Sequence, residues 1–372
     1  MNGTMKMSQF ATILFLVSGL LITSPSFTFS AGETTVPVLE PFPLPRSLSL
    51  CGEPMPLDNP DVREMLDREF QVSVWDRARV FLWFKRAARY FPYIEKRLAE
   101  TGMPDDLKYL SVAESSLLTH VRSNAGALGP WQFMAATAER IGLRIDKMMD
   151  ERMDFERSTE AAFNYLMQLK QMFGSWTAAM AAYNCGENRL KSEMNEQRVA
   201  EYYRLDLPFE TERYIFRIAA IKIIMENPRR YGYSVPKEHL YMPVQCDAVP
   251  VSIQATIHIA DVAQGLGTDF KVIKELNPQI LGRHLSTGNY TLRVPPGTGS
   301  RLPNVLRNLT PSPAPSNPQP ATHLSEGHYT VKPGDTLSEI SRKTGVSVDT
   351  LKKLNSIEGS VISPGQKLRT AP

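Results

Sequence analysis

One acid stands where an apolar residue is expected. In the run Leu107-Lys-Tyr-Leu-Ser-Val-Ala-Glu-Ser-Ser-Leu-Leu118, the residues Leu107, Leu110, Leu117 and Leu118 fall on one stripe at helical periodicity. Glu114 lies inside that stripe. A carboxyl group on a buried face is unusual. Loss of water raises its pKa and makes it a proton donor near neutral pH. A carboxylate satisfied by an arginine, or one at a helix end facing water, fits the same periodicity, and the pattern alone leaves these readings open.

Two further segments carry polar groups in settings that suit a bulky ligand. Asn124-Ala-Gly-Ala-Leu-Gly-Pro130 is a loop of small residues, and it runs into Trp131-Gln132-Phe133-Met134. Small residues let a ligand approach the backbone, and Gln132 offers an amide donor and acceptor between two aromatic rings. Ala181-Ala182-Tyr183-Asn184-Cys185-Gly186 places a Tyr-Asn pair at a helix end, with glycine for the turn. An ordinary C-cap explains that pair equally well when it stands alone.

The elements that must position these residues are helices. Residues 61–235 contain few prolines and much helical periodicity. The expected helices are Trp75 to Tyr93, one opened by Pro104-Asp105-Asp106, Ser158 to Phe173, Ser175 to Asn184, and Phe209 to Asn227. Glycines 174 and 186 and Pro228 supply the stops. Around this region the prolines cluster. Pro37, Pro41, Pro43, Pro45, Pro54, Pro56 and Pro60 make 31–60 an extended leader, and Pro303, Pro311, Pro313, Pro315, Pro318 and Pro320 make 297–326 a semi-rigid spacer.

The totals exclude several classes. A chain of 372 residues with 42% hydrophobic content holds a core and two or three domains. The net charge of +3, from 42 basic and 39 acidic residues, is too balanced to argue for nucleic acid as a partner. Three cysteines build no disulfide framework, and no Cys/His pair has zinc-ligand spacing, so neither a metal nor another cofactor is expected. Residues 1–30 hold one charge, Lys6, and an apolar run from Phe10 to Ile22, which reads as a secretory signal peptide. An uncleaved membrane anchor is the other reading of that run. Cys51 follows Leu50, far from the apolar run, so it lacks the context of a lipobox, and lipid anchoring is not expected. The expected address is the periplasm or cell envelope.

Taken together, Glu114-Ser115, Gly126-Ala-Leu-Gly-Pro-Trp-Gln132, Ala182-Tyr-Asn-Cys-Gly186 and Pro208-Phe-Glu-Thr-Glu-Arg-Tyr214 resemble the soluble lytic transglycosylase family, in family order, over roughly residues 75–236. The resemblance implies a mainly α, lysozyme-like catalytic domain over 61–236. It implies that Glu114 is a single catalytic acid/base. It implies that Ser115, Gln132, Tyr183, Asn184 and Tyr214 serve the glycan groove, with Ser115 orienting the acid or the substrate. The implied reaction cleaves the MurNAc-β-1,4-GlcNAc bond of peptidoglycan and leaves a 1,6-anhydroMurNAc end. One carboxyl group suffices because no water has to be held, whereas a typical glycoside hydrolase uses two. A lysozyme-like hydrolase and a catalytically inert glycan-binding scaffold are the rival readings. Glu187 or Glu210 would hold the water in the first of these. Cys185 reads as packing and His120 as a surface residue.

The end of the chain is a second unit. His328-Tyr-Thr-Val-Lys-Pro-Gly-Asp-Thr-Leu-Ser-Glu-Ile340 reads as a strand, a turn and the start of a helix capped by Asp335 or Thr336. Ser347 caps a second helix, and Ser363 to Arg369 returns as a strand. This βααβ order over 327–370 resembles a LysM module, which implies binding of N-acetylglucosamine-containing glycan. The implied groove involves Gly334, Asp335 and Thr336 on one side and Ile362, Ser363 and Pro364 on the other. An internal repeat is visible at 248–296, where Ile273-Lys-Glu-Leu-Asn277 and Leu292-Arg-Val-Pro295 follow the same order. Gln254-Ala-Thr-Ile257 replaces the Pro-Gly-Asp-Thr signature, so this is read as a degenerate LysM-like module that packs against the catalytic domain. The expected partner is the peptidoglycan glycan strand; no protein of the cell-wall machinery is identified.

Overall fold

The computed structural model describes residues 41–311, 328–344 and 346–370. The signal peptide expected at 1–30, the first part of the leader and most of the spacer lie outside the described residues. Among the described residues no helix is long and apolar enough to cross a membrane.

The described leader makes a small hairpin, β1 (Ser49–Leu50) against β2 (Glu53–Pro54), before α1 (Pro60–Trp75) begins. Asn59 caps α1 and Pro60 sits in its first turn, the position a proline tolerates. The helix expected from Trp75 starts two residues later, because Asp76 ends α1 and its side chain accepts from Arg79 N to open α2 (Arg77–Thr101). Then come α3 (Lys108–Ser115), α4 (Ala135–Arg140), α5 (Phe155–Phe173), α6 (Trp176–Cys185), α7 (Glu187–Gln197) and α8 (Phe209–Glu226). Helix α8 is buried on most of its circumference and is packed by α1, α3 and α6. Ala178, Ala179, Ala181 and Ala182 are all buried on α6, so α5 and α8 come close to it.

Helix α3 departs from expectation. The apolar stripe runs on to Leu118, but the helix stops at Ser115. Ser116 and Leu117 both adopt positive φ, 54° and 63°. Left-handed backbone at two successive non-glycine residues costs energy and persists only where surroundings impose it. Trp83 Nε1 donates to Ser116 Oγ at 3.0 Å, and Arg86 Nη1 donates to Ser116 O at 3.1 Å. Those α2 side chains hold the turn, and Glu114 therefore lies at the penultimate residue of α3.

After residue 240 the chain builds two small units with one plan. The first has β3 (Asp247–Ile253), β4 (Ile257–His258), α9 (Ile259–Leu266), α10 (Phe270–Leu276), β5 (His284–Leu285) and β6 (Gly288–Val294), with β3 antiparallel to β6 over its whole length. Its core includes Val262, Ile273, Leu292 and Val294. The spacer expected from residue 297 starts later. Residues 302–308 form α11 (Leu302–Asn308), with Pro303 in the first turn and Leu302 fully buried. Gly265 lies close against Val305, and α11 packs on α9. Pro303 is thus a helix-opening proline rather than a spacer residue, and the unit runs to about Leu309.

The second unit has β7 (His328–Thr330), α12 (Leu337–Thr344), α13 (Val348–Asn355) and β8 (Lys367–Arg369), with β7 antiparallel to β8. Thr336 Oγ1 accepts from Glu339 N, so Thr336 is the cap of α12, while Ser347 caps α13 as expected. The two units share one clamp. Asn277 Nδ2 donates to Ile273 O and Arg293 O, and Asn277 Oδ1 accepts from Arg293 N. Asn355 does the same with Leu351 O, Arg369 O and Arg369 N.

Candidate active site

Glu114 sits near the end of α3, which packs against α8. Its carboxyl accepts a short hydrogen bond from the hydroxyl of Tyr214, which α8 buries. Loss of water pushes the Glu114 pKa up to about 7, against the Tyr214 hydrogen bond and the Arg217 charge, which favour the ionised form. Burial, and then the nearby Glu114 charge, hold both Tyr183 and Tyr214 well above the usual tyrosine range. These hydroxyls stay protonated beside the acid. Tyr214 is therefore both part of the α8 core and a partner of Glu114.

Ser115 is buried and faces away from solvent. Its hydroxyl lies 2.9 Å from Pro130 O and accepts from Leu118 N. Ser111, one turn earlier, also donates to Pro130 O at 3.0 Å. The pair fastens α3 to the glycine loop, which orients the acid. Gln132 has a positive φ of 49°, and its amide nitrogen donates to Val121 O and Gly129 O at 3.0 and 2.8 Å. The amide hydrogens of Gln132 thus close the loop on itself.

Tyr183 Oη donates to Trp131 O at 2.8 Å, and Asn184 Oδ1 accepts from Thr211 Oγ1 at 3.0 Å. Helix α6 is in this way tied to the glycine loop on one side and to the start of α8 on the other. Thr211, which lies within the Pro208–Tyr214 motif but was given no role of its own, is the buried partner of Asn184. These contacts join Glu114 to Tyr214, Ser115 and Tyr183 to the glycine loop that carries Gln132, and Asn184 to the start of α8. Glu187 accepts from Tyr165 Oη at 2.6 Å and pairs with Arg140 at 2.8 Å. Glu210 is paired with Arg217 at 2.9 Å.

Arg152 is a second residue that the sequence did not reveal. It is buried, and its guanidinium donates to Gly126 O at 3.2 Å, Phe133 O at 3.0 Å and the Asp150 carboxylate at 2.9 and 2.7 Å. Gly129, at φ 88°, lies so close to this segment that a Cβ would sit 1.9 Å from Arg152 O. The loop needs glycine there for both its backbone and its neighbour.

In the terminal unit, Asp335 accepts from Tyr329 Oη at 2.8 Å, Lys332 N at 2.8 Å and Lys343 Nζ at 2.6 Å. The Lys343 ammonium beside it holds its carboxyl down at about 2. Asp335 is thereby the hub of the first loop. Gly334 takes a positive φ of 87°, and Thr336, Ser363 and Pro364 are exposed while Ile362 packs on the small core. Val331 joins the two loops, accepting from Gly365 N at 2.7 Å and donating to Gln366 O at 2.8 Å. The six residues expected to form a groove therefore lie on two adjoining loops.

Residues 91–205 match the family model described as Transglycosylase SLT domain, and residues 329–370 match LysM domain. Tyr214 lies beyond the first of these spans. The chain is 31% identical over 290 residues to the membrane-bound lytic murein transglycosylase D of Escherichia coli strain K12, covering 76% of this chain and 63% of that protein. It therefore spans less than two thirds of the length of that relative. Over 88 residues it is 39% identical to the peptidoglycan transglycosylase gp16 of Escherichia phage T7, which is 23% of this chain and 7% of that one. Among solved structures, the 70 kDa soluble lytic transglycosylase Slt70 of Escherichia coli aligns at 20% identity and a TM-score of 0.32, over 49% of this chain and 32% of its own.

Proposed function

We propose that this chain, which carries an SLT transglycosylase domain and a LysM domain, is an exported peptidoglycan lytic transglycosylase that its LysM unit holds on murein. The observation that carries the reading is the Glu114 carboxyl, raised to about 7 and hydrogen-bonded to a buried tyrosine. A group poised near neutrality serves as acid and then as base.

Protonated Glu114 gives its proton to the oxygen that links MurNAc to GlcNAc. The C1–O bond breaks, GlcNAc leaves as an alcohol, and MurNAc C1 takes on oxocarbenium character. Glu114, now ionised, removes the proton from the C6 hydroxyl of the same MurNAc. O6 closes on C1 and forms the 1,6-anhydro ring. Atoms balance without water, and Glu114 ends protonated as it began. Tyr214 donates to Glu114 throughout, which eases the ionised stage. Ser115 and Gln132 keep the glycine loop fixed beside the acid.

The hydrolytic alternative needs a second carboxylate to hold water. Glu187 is engaged by Tyr165 and Arg140, and Glu210 is an exposed carboxylate paired with Arg217. Digestion of purified murein followed by mass analysis decides between the two chemistries. Anhydro-ended muropeptides are expected. Reducing MurNAc ends alone would refute the proposal.

A further inference from the structure

The segment between α4 and α5, residues 143–154, faces two ways. On one side it joins the first small unit. Met149 forms an antiparallel bridge with Ile280, Leu281 N donates to Met148 O at 2.8 Å, and Asp150 N donates to Gln279 O at 2.8 Å. The Met149 side chain is buried in the core of that unit. Arg293 reaches across from β6 and grips Asp154 through Nη1 at 2.7 Å and Nη2 at 3.1 Å, with Glu156 at 2.9 Å.

On its other side the same segment supports the glycine loop. Arg152 holds Gly126 O and Phe133 O, Gly129 rests against the Arg152 carbonyl, and Asp154 caps α5 by accepting from Arg157 N at 3.1 Å. Thr159, on the second turn of α5, accepts from Trp131 Nε1 at 2.9 Å. Asp150, Arg152 and Asp154 are each no more than 4% exposed. Buried charges of this kind hold their geometry only while every partner is in place. At the equivalent position of the terminal unit, next to the same asparagine clamp, Arg369 is exposed.

We infer that the unit at 247–309 is a positioning element of the catalytic domain: it fixes the Gly126–Phe133 loop through the 143–154 segment, with Arg293 and Arg152 as positioning residues, and it does not act as a second glycan-binding module. The inference rests on the reading of Glu114 as the glycan-cleaving acid. Arg293 acts through its partners. It holds Asp154, Asp154 sets the start of α5, and Asp150 and Arg152 pass the constraint to the loop. A small misplacement of a loop that orients the reacting bond costs rate more than affinity.

The test uses the full chain with Arg293→Gln and Arg293→Lys, on soluble uncrosslinked glycan strands and on insoluble murein. Arg293→Gln is expected to lower kcat by about ten- to hundredfold with KM within about twofold, and Arg293→Lys to recover part of the loss, since it keeps the charge and loses the fork. Hydrogen exchange at the amides of 126–133 is expected to quicken in both variants while α8 stays protected. Should Arg293→Gln fold poorly, Arg293→Lys carries the same comparison. Gln254→Ala, in the first loop of the unit, is expected to leave sedimentation with murein unchanged. Unchanged kcat or unchanged loop exchange in the Arg293 variants would overturn the inference. So would a loss of sedimentation in Gln254→Ala, which would make the unit a glycan binder. If the wild type made no anhydro ends, the functional reading would fall, and the exchange comparison would still decide whether the unit holds the loop.

Discussion

Replacing Glu114 by glutamine separates the cost of burying the carboxyl from the benefit of having it. In the folded chain its pKa is about 7, against an ordinary 4.5. Below 4.5 the group is protonated in folded and unfolded chains alike, and burial carries no ionic cost. As pH rises toward 7, the unfolded chain ionises first and the folded state loses ground. Above about 7 the whole difference is in force. At 1.36 kcal/mol per pH unit it amounts to about 3 kcal/mol of lost stability. Glutamine stays neutral and still accepts the Tyr214 hydrogen bond, so it escapes that loss. Glu114→Gln is therefore expected to be inactive on murein and more stable than the parent by about 3 kcal/mol at pH 8, with no gain at pH 4. Urea unfolding of both proteins at the two pH values measures the difference. A gain that is the same at pH 4 and pH 8, or a loss at pH 8, would refute the reasoning, because the carboxyl would then not be held out of water. The parent is also expected to lose kcat/KM above about pH 7, tenfold per unit, as the proton to be donated disappears.

Tyr214→Phe removes the donor that favours ionised Glu114, so the alkaline limb of the kcat/KM profile is expected to move to higher pH while kcat falls; an unmoved limb would break the link between the two residues. Gly129→Ala puts a Cβ 1.9 Å from Arg152 O at a left-handed backbone position, and a loss of about 2 kcal/mol or more is expected in equilibrium unfolding. A loss below about 0.5 kcal/mol would show that the loop yields there. Asn355→Ala removes two hydrogen bonds that join α13 to β8 and one that ties the side chain back to Leu351 O within α13, and it is expected to abolish sedimentation with murein while leaving turnover of short soluble glycans intact. Equal loss of both activities would argue that the terminal unit also serves catalysis.

Glu114 stood out in the sequence because periodicity places a charged residue on an apolar stripe, and the acid role came from the family resemblance. The helices α5, α6 and α8 were legible for similar reasons, having caps and stops beside them in sequence: Ser175 before α6, Gly174 after α5, Pro228 after α8. What remained hidden depends on partners distant in sequence. The stripe Leu107–Leu118 gives no sign that α3 ends at Ser115, because that end is imposed by Trp83 and Arg86 some thirty residues earlier. Arg152 looks like one more basic residue in a charged stretch until Gly126 and Phe133 are folded over it. Pro303 counted with the spacer prolines because composition does not distinguish a proline that opens a helix from one in a linker.

The repeat Ile273-Lys-Glu-Leu-Asn277 and Leu351-Lys-Lys-Leu-Asn355 explains how one plan supports two roles. Its asparagines make the same clamp onto the returning strand, so each unit keeps its βααβ form whatever its loops carry. That leaves the loops free to differ. In the terminal unit Asp335 gathers Tyr329, Lys332 and Lys343 around the first loop, which gives that loop a fixed shape at the surface. The first unit has Gln254-Ala255-Thr256 there, while Arg293, whose backbone the clamp holds, turns its side chain to Asp154 and Glu156. An ion pair buried against the catalytic domain needs a rigid backbone behind it, and the clamp supplies one. Tethering by the terminal unit requires reach along a polymer, whereas support of a loop requires fixed contact. On the proposed reading these demands are divided between two copies of one scaffold, so that binding and alignment of the glycan strand need not be met by the same loops.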